Sequence, residues 1–478
     1  MSESFVRSIS ERLGPRGFTN DPELVDPWLT DWRGRYTGKA IGLASPANTS
    51  EVAAVMKLCA AHGVPVVPQG GNSGMSGGAT PDTSGTALVL SLRRMDTIRS
   101  FDPDGFEITC DAGVILQTLH ETVEAAGRRF PLTLGGKGSA TIGGLISTNA
   151  GGTQVLRHGT MRAQVLGLEA VLADGRIIDM LTPLKKDNRG FDLKQVLIGS
   201  EGTLGIVTAA TLRLLPAIGE RAVMWAGLDS IGAARRFLLH CEKLAGDKLE
   251  GFEVLQSHSL SAVLDHVPHT RSPLRDDHSW HALVELVADR EGETDLQSLA
   301  ETLLESAFDD GLVEDATIAA NETQAEAFWL IRESIAPAER SIGPAMQHDV
   351  SVPVARMAEF VDQAISSVET RFPAHRAIAF GHLGDGNVHF HVLAPPDADR
   401  LEWERDCSDE IAGFVYDLVD QCEGSISAEH GIGQVKVGEL ERLGDPVALS
   451  MQRAIKSALD PRGILNPGKL LALEGAVP

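Results

Sequence analysis

Histidines crowd the second half of the chain in two short stretches, GHLGDGNVHFHV and SAEHGIG. The first places His382 before, and His389 after, the turn residues Asp385, Gly386 and Asn387. A hairpin there would bring the two imidazoles across from each other. It would also put His389 and His391 on one strand face and Val388, Phe390 and Val392 on an apolar one. SAEHGIG adds adjacent Glu429 and His430 between small residues. Two imidazoles and one carboxylate match the ligand number of a catalytic metal site that keeps coordination open for a substrate. A histidine pair also serves as plain strand and turn hydrogen-bonding groups, and no H-E-x-x-H is present to suggest a zincin protease. Arg332, in EAFWLIRESIAP, falls on the helical stripe of Phe328, Ile331 and Ile335. An Arg on an apolar stripe needs an anion; a substrate carboxylate held bidentately, a structural Glu, or snorkelling to the surface each answers that need.

Glycine supplies the second kind of chemistry. The 49 glycines cluster in loops at 70–78, 135–152 and 199–205. Such loops can bring backbone N–H groups close to phosphate, and PQGGNSGMSGG (68–78) adds the Ser73 hydroxyl. None has the G-x-G-x-x-G register of a dinucleotide fingerprint, and Gly138 stands where a P-loop needs Ser or Thr.

The elements that must position these groups are visible in the periodicity. From 41 to 216, short β-rich runs alternate with helical ones. In SPANTSEVAAVMKLCAAHGVPVVPQGG, Asn48 caps a helix whose stripe is Val52, Val55, Met56 and Cys59; Gly63 ends it before a strand at 64–67. Beyond 216 the composition shifts to longer helices and acidic stretches at 289–295 and 301–315. The expected organisation is a glycine-rich domain over 1–217, a second domain over 218–425 carrying the histidine hairpin, and a C-terminal return over 426–478. That is an α+β chain of 478 residues, too long for one ordinary domain. With 42 Lys and Arg against 66 Asp and Glu, the net charge of −24 gives no electrostatic pull toward nucleic acid or anionic lipid. Five cysteines without a C-x-x-C pair read as reduced thiols. MSESFVRSISERLG lacks the apolar core of a secretory signal, and Glu3 and Glu11 are out of place in a mitochondrial presequence, so a cytoplasmic protein without a transmembrane segment is expected.

PQGGNSGMSGGATP, GGLISTNAGGTQVLRHGTMRAQVLGLEAVLADG and LIGSEGTLGIVTAATLRLLP together resemble the FAD-binding domain of the vanillyl-alcohol oxidase superfamily. The resemblance implies a two-subdomain FAD-binding domain. Gly70, Gly71, Asn72 and Ser73 would hold the pyrophosphate, and Pro68 would bind the cofactor as well. Gly135, Gly136, Ser139, Thr141, Gly143, Gly144, Asn149 and Gly151 would line the rest of the dinucleotide. Glu201, Gly202, Ile206 and Val207 would sit near the adenosine and ring edges, and Asn466 in NPGKL on the returning segment. The first loop has no histidine to tether a flavin, so FAD is expected to be non-covalent.

WLIRES, QHDVSVP, GHLGDGNVHFHV and EHGIG are similar to the FAD-linked oxidase C-terminal domain of the D-2-hydroxyglutarate, D-lactate and glycolate dehydrogenase group. By position, the resemblance implies that His382, His389 and Glu429 bind zinc or another divalent ion. It makes His430 the base and has Arg332 hold the C1 carboxylate. Ala336, Gln347 and His391 stand where the 2-hydroxyglutarate enzymes usually carry Thr, Lys and Asn. Gln347 and His391 remain expected substrate contacts, and the choice among D-2-hydroxyglutarate, D-malate and D-lactate stays open. The implied reaction is oxidation of a D-2-hydroxy acid to the 2-oxo acid, with electrons passed to an electron-transfer flavoprotein, a quinone or a cytochrome. A homodimer is implied on the same ground. Two other readings stay open: an FAD-containing transferase of the alkylglycerone-phosphate synthase type, and a flavoprotein electron-transfer subunit.

Overall fold

A computed structural model describes residues 3–289, 295–396 and 398–472, so positions 290–294 of the acidic run and 473–478 of the C-terminal segment lie outside the described residues. The chain divides into two compact units. The first comprises Met1–Gly152, Gly159–Pro216 and Glu429–Pro478; the second comprises Thr153–His158 and Ala217–Ala428.

The first unit is built on two sheets. A four-stranded sheet has the order Phe18–Thr19, Ala40–Ala44, Ala87–Ser91, Val66–Gln69, with its last three strands parallel. Parallel neighbours need a crossover, and the helix Thr49–His62 supplies one. Asn48 accepts the Glu51 N–H at 2.9 Å, Gly63 closes the helix at φ 67°, and Val52, Val55, Met56 and Cys59 are fully buried. The strand after it starts at Val66, two residues later than its apolar pattern suggests. The Val64 N–H is engaged by the Cys59 carbonyl at 3.0 Å and Pro65 has no N–H, so before Val66 only the Pro65 carbonyl joins the ladder, accepting from the Leu88 N–H at 2.8 Å.

The second sheet of this unit is antiparallel, in the order Ile98–Asp102, Glu107–Asp111, Ile206–Arg213, Val165–Val171, Ile177–Met180. One apolar core, including Met56, Leu88, Ile108, Ile146 and Ile206, joins both sheets. The helix Glu3–Leu13 contributes Phe5 and Ile9 to that core, so these residues are part of the fold.

The second unit is one seven-stranded antiparallel sheet. Its order is Asp315–Ile318, Glu220–Leu228, Trp280–Ala288, Leu249–Gln256, Arg376–His382, Asn387–Leu393, Ala345–Ser351. On one face Trp225, Leu255, Leu283 and Phe380 pack with Val263, Phe328, Ile331 and Ile335 from three helices. The stripe carrying Arg332 is not one helix: Glu322–Glu333 stops at Ser334, and Ile335 opens the next helix, Ile335–Ile342. The five cysteines are free thiols and four are buried; burial pushes Cys59 and Cys110 up to about 12. Among the described residues, no helix is long and apolar enough to cross a membrane.

Candidate active site

The histidine hairpin joins Arg376–His382 to Asn387–Leu393, and its register settles which residues share a face. His382 lies opposite Asn387, and His389 lies opposite Phe380, so the two imidazoles are diagonal neighbours rather than a directly facing pair. Their ring centroids are 5.6 Å apart. Gly386 makes the turn possible: it sits at φ +83°, and a Cβ there would stand 2.2 Å from the Val352 carbonyl oxygen. His391 follows on the same face, while Val388, Phe390 and Val392 are fully buried on the other.

A single buried carboxylate organises this face. Glu253, in the neighbouring strand, is paired in register with His382 and is 0% exposed. One of its oxygens accepts from Arg332 Nε at 2.7 Å, and the other meets His382 Nδ1 in a short contact. Burial alone would raise the Glu253 pKa; the Arg332 and His382 charges and hydrogen bonds overcome it and hold the group down at about 2. The Arg332 guanidinium lies over the Phe380 ring at 5.2 Å, and Phe380 in turn packs edge-on to His391 and against His389. Arg332 Nε is thus committed, and Nη1 and Nη2 form no hydrogen bond among the described residues.

Two further acids complete the face. His391 Nδ1 meets Glu339 Oε2 at 2.6 Å, and Asn387 donates to Asp349 Oδ1 at 2.9 Å. Gln347 is half-buried in the edge strand, opposite His391. Ala336 is half-buried one turn after Arg332. Glu253, Glu339 and Asp349 did not emerge as candidates from sequence. Glu253 did carry a signal, as one of two charged residues, with Glu250, in the mostly apolar run LEGFEVLQ.

The donor set fits a metal ion. Metal-bound histidines characteristically give their other ring nitrogen to a carboxylate, and the Glu253 contact at His382 Nδ1 leaves Nε2 as the donor. Glu429 is next in the chain after Ala428, whose N–H is held by the Asp349 carbonyl at 3.3 Å.

In the first unit the glycine loops close on one another. A Cβ on Gly71 would stand 1.8 Å from the Ser139 carbonyl oxygen, and one on Gly70 would stand 2.2 Å from Thr141 Oγ1, a buried hydroxyl without a hydrogen-bond partner. Gly74 and Gly135 instead face open space. Asn72 and Asn149 both adopt left-handed backbone, at φ 53° and 51°. The cradle thus fits a bound dinucleotide: backbone is brought close, and the unpaired Thr141 hydroxyl is left beside it.

The returning segment is tied to the same loops. Ser76 Oγ donates to the His430 and Gly431 carbonyls, while the Ile432 and Gly433 N–H groups both donate to the Glu201 carboxylate at 2.7 Å. The Glu201 side chain therefore anchors the turn after His430. Burial raises its pKa, and the two backbone donors oppose the rise. Asn466 donates to the Gly78 and Glu201 carbonyls, which places NPGKL against the first loop. Pro68, Ser73, Gly136, Gly144 and Ser139 lie on the partly or fully exposed sides of these loops. Gly143, Gly151, Gly202, Ile206 and Val207 are buried beneath.

The family described as FAD linked oxidases, C-terminal domain, matches residues 219–470, and the FAD binding domain family matches residues 40–181. The chain belongs to the FAD-linked oxidase family. It is an FAD-dependent oxidoreductase acting on CH–OH donors. Within the family it is 37% identical to a probable mitochondrial D-2-hydroxyglutarate dehydrogenase of Oryza sativa subsp. indica, over 98% of this chain and 81% of that protein. It is 33% identical to the D-2-hydroxyglutarate dehydrogenase of Xanthomonas citri pv. viticola, over 100% of this chain and 98% of the other. Among solved structures the fold is shared with p-cresol methylhydroxylase (TM-score 0.78, 15% identity, 99% of this chain and 98% of that one). It is shared as well with alkyldihydroxyacetonephosphate synthase (TM-score 0.72, 16% identity, 98% and 85%). The architecture is that of the vanillyl-alcohol oxidase type, with mixed helix and strand content.

Proposed function

We propose that the chain oxidises a D-2-hydroxy acid to the 2-oxo acid with divalent-metal assistance. One observation carries the reading: a fully buried Glu253 links Arg332, a carboxylate receptor, to His382, a metal-type imidazole. A 2-hydroxy acid needs those two functions on adjacent atoms. The named relatives, D-2-hydroxyglutarate dehydrogenases of plants, animals and bacteria, support the same chemistry.

Bound FAD would take the C2 hydride at N5, and a divalent ion on His382, His389 and Glu429 would lower the pKa of the 2-hydroxyl. The chain's own groups do the rest. Arg332 receives the C1 carboxylate on its two Nη atoms, and Glu253 fixes the plane of the guanidinium. His430 removes the hydroxyl proton. Phe380, 4% exposed, keeps water from the base of the site. Electrons leave to an electron-transfer flavoprotein, a quinone or a cytochrome. The working form is a homodimer, and its place is the cytoplasm.

The test is an anaerobic visible spectrum with a panel of D- and L-2-hydroxy acids. Bleaching of the flavin band by a D-acid is expected, and no bleaching by any acid of an FAD-replete protein would overturn the reading. His430→Ala should retain FAD and metal but lose flavin reduction; an unchanged reduction rate would remove His430 as the base.

A further inference from the structure

The segment that carries His430 belongs to no strand or helix: the next regular element, Val437–Leu443, begins after it. With no ladder to place it, its backbone must be held by side chains from elsewhere. Glu201, in the same unit, does most of the holding. It is 8% exposed, and each of its polar groups is engaged within the chain. Its N–H donates to the Ser147 carbonyl at 2.8 Å, and its carbonyl accepts from Asn466 Nδ2 at 2.7 Å. Its two carboxylate oxygens accept one N–H each, from Ile432 and Gly433, both at 2.7 Å. The residue adopts left-handed backbone at φ 51°, which is unfavourable for a side chain other than glycine.

Ser76 holds the other edge. Its Oγ donates to the His430 carbonyl at 3.1 Å and to the Gly431 carbonyl at 3.0 Å, and its own carbonyl accepts the Gln434 N–H at 3.0 Å. From His430 to Gln434, each residue thus has a backbone group bonded to Glu201 or Ser76. The fit is close enough to dictate the glycines of EHGIG. A Cβ on Gly431 would stand 2.8 Å from Glu201 Oε1, and one on Gly433 would stand 1.9 Å from the Ser76 carbonyl oxygen. Both have positive φ, at 76° and 54°. A general base works only within hydrogen-bond reach of the proton it takes, and a displacement of about 1 Å costs about 100-fold in rate.

We propose that Glu201 is a positioning residue for the reaction: together with Ser76 it sets where the His430 imidazole is presented, and its carboxylate serves the base rather than the cofactor. The inference rests on His430 being the base, as read above. The test is a double-variant cycle in the FAD-loaded protein, read by anaerobic flavin reduction with the D-2-hydroxy acid that reduces the wild type fastest. Glu201→Gln sets an amide NH2 against a backbone N–H, so one donor loses its acceptor. Its reduction rate at saturating substrate is expected to fall about 100-fold, with flavin content and half-saturating substrate concentration within about threefold of wild type. His430→Ala added to it should slow the reaction no further than His430→Ala alone, because both act through one group. Amide hydrogen exchange over 430–434, which needs no turnover, should be about tenfold faster in Glu201→Gln. That substitution also takes the anion from beside the buried Lys436 and Lys469. If it does not fold, Ser76→Ala decides the matter, with an expected loss of about tenfold and the same lack of additivity with His430→Ala. A folded Glu201→Gln that keeps the wild-type rate, loses its flavin, or adds its loss to that of His430→Ala overturns the inference and leaves the dehydrogenase reading standing. A His430→Ala protein that reduces its flavin at the wild-type rate overturns the base assignment and this inference with it.

Discussion

Replacing Glu253 by Gln keeps its shape and removes only the charge that Arg332 and His382 share. The wild-type carboxyl is held at about 2 against a reference of 4.5. At about 1.4 kcal/mol per pH unit, that drop corresponds to roughly 3 kcal/mol of folding stability at neutral pH. The sign follows from the direction of the shift. A depressed acid contributes its full stabilisation above about pH 4.5, and loses it as pH falls toward about 2. Removing one partner of a buried pair costs about 3–5 kcal/mol by a second route, because Arg332, 9% exposed, is left uncompensated. The two estimates agree. For a unit of this size, 3 kcal/mol lowers the thermal midpoint by roughly 6–12 °C. Differential scanning calorimetry at pH 7 is the assay, with Arg332→Met and the double variant completing a cycle. The double variant should be more stable than Glu253→Gln alone, since no charge is then stranded. On the metal-assisted reading proposed above, loss of metal from purified Glu253→Gln, read by elemental analysis, is the companion signature. A midpoint within about 1 °C of wild type, or a double variant showing the sum of the two single losses, would refute the argument that Glu253 is a charge bridge.

Glu285 should behave in the opposite sense. Burial, with Glu250 nearby, pushes its pKa up to about 7 even though Arg221 opposes the rise, so the folded state loses stability as pH climbs from about 4.5 to about 7. Glu285→Gln is expected to raise the thermal midpoint at pH 8 and to flatten its pH dependence; equal midpoints at pH 8 would count against it. Gly71→Ala should lose FAD, because a Cβ 1.8 Å from the Ser139 carbonyl oxygen must push two backbone loops apart. The ratio of flavin to protein absorbance in the purified variant reads this directly, and a full complement of flavin would mean that the loops can part without cost.

Much of the fold was legible because its punctuation is local. Asn48, the stripe of Val52, Val55, Met56 and Cys59, and Gly63 specify a helix through caps and period alone, and the structure has that helix. The late start of the following strand was not legible from apolar pattern. It depends on the Val64 N–H reaching back to Cys59, a cap geometry that competes with the ladder. The break at Ser334 was hidden for a related reason. The residues 328, 331, 332 and 335 keep helical spacing across two helices, so the period survives although the helix does not.

The histidines, Arg332 and the glycine loops could be picked out because they are motifs, dense in unusual residues over a few positions. The acids that hold them are not. Glu253 is 79 positions before Arg332 and 129 before His382, and Glu339 is 52 before His391. Strand order brings Glu253 to His382, and two helices bring Arg332 and Glu339 to the same face; both are long-range arrangements that no local window contains. Charged residues inside a mostly apolar strand, Glu250 and Glu253 in Leu249–Gln256, are the trace left in the sequence. An unpaired carboxylate there would be prohibitively desolvated, so LEGFEVLQ requires a cation or an imidazole from elsewhere in the chain. Such a stranded charge, matched with Arg332 and the histidine hairpin, ties Glu253 to the site from sequence alone. It does not choose between His382 and His391 as the partner. That choice is made by register: Glu253 pairs with His382, and His391 falls nine positions further along the hairpin, within reach of Glu339.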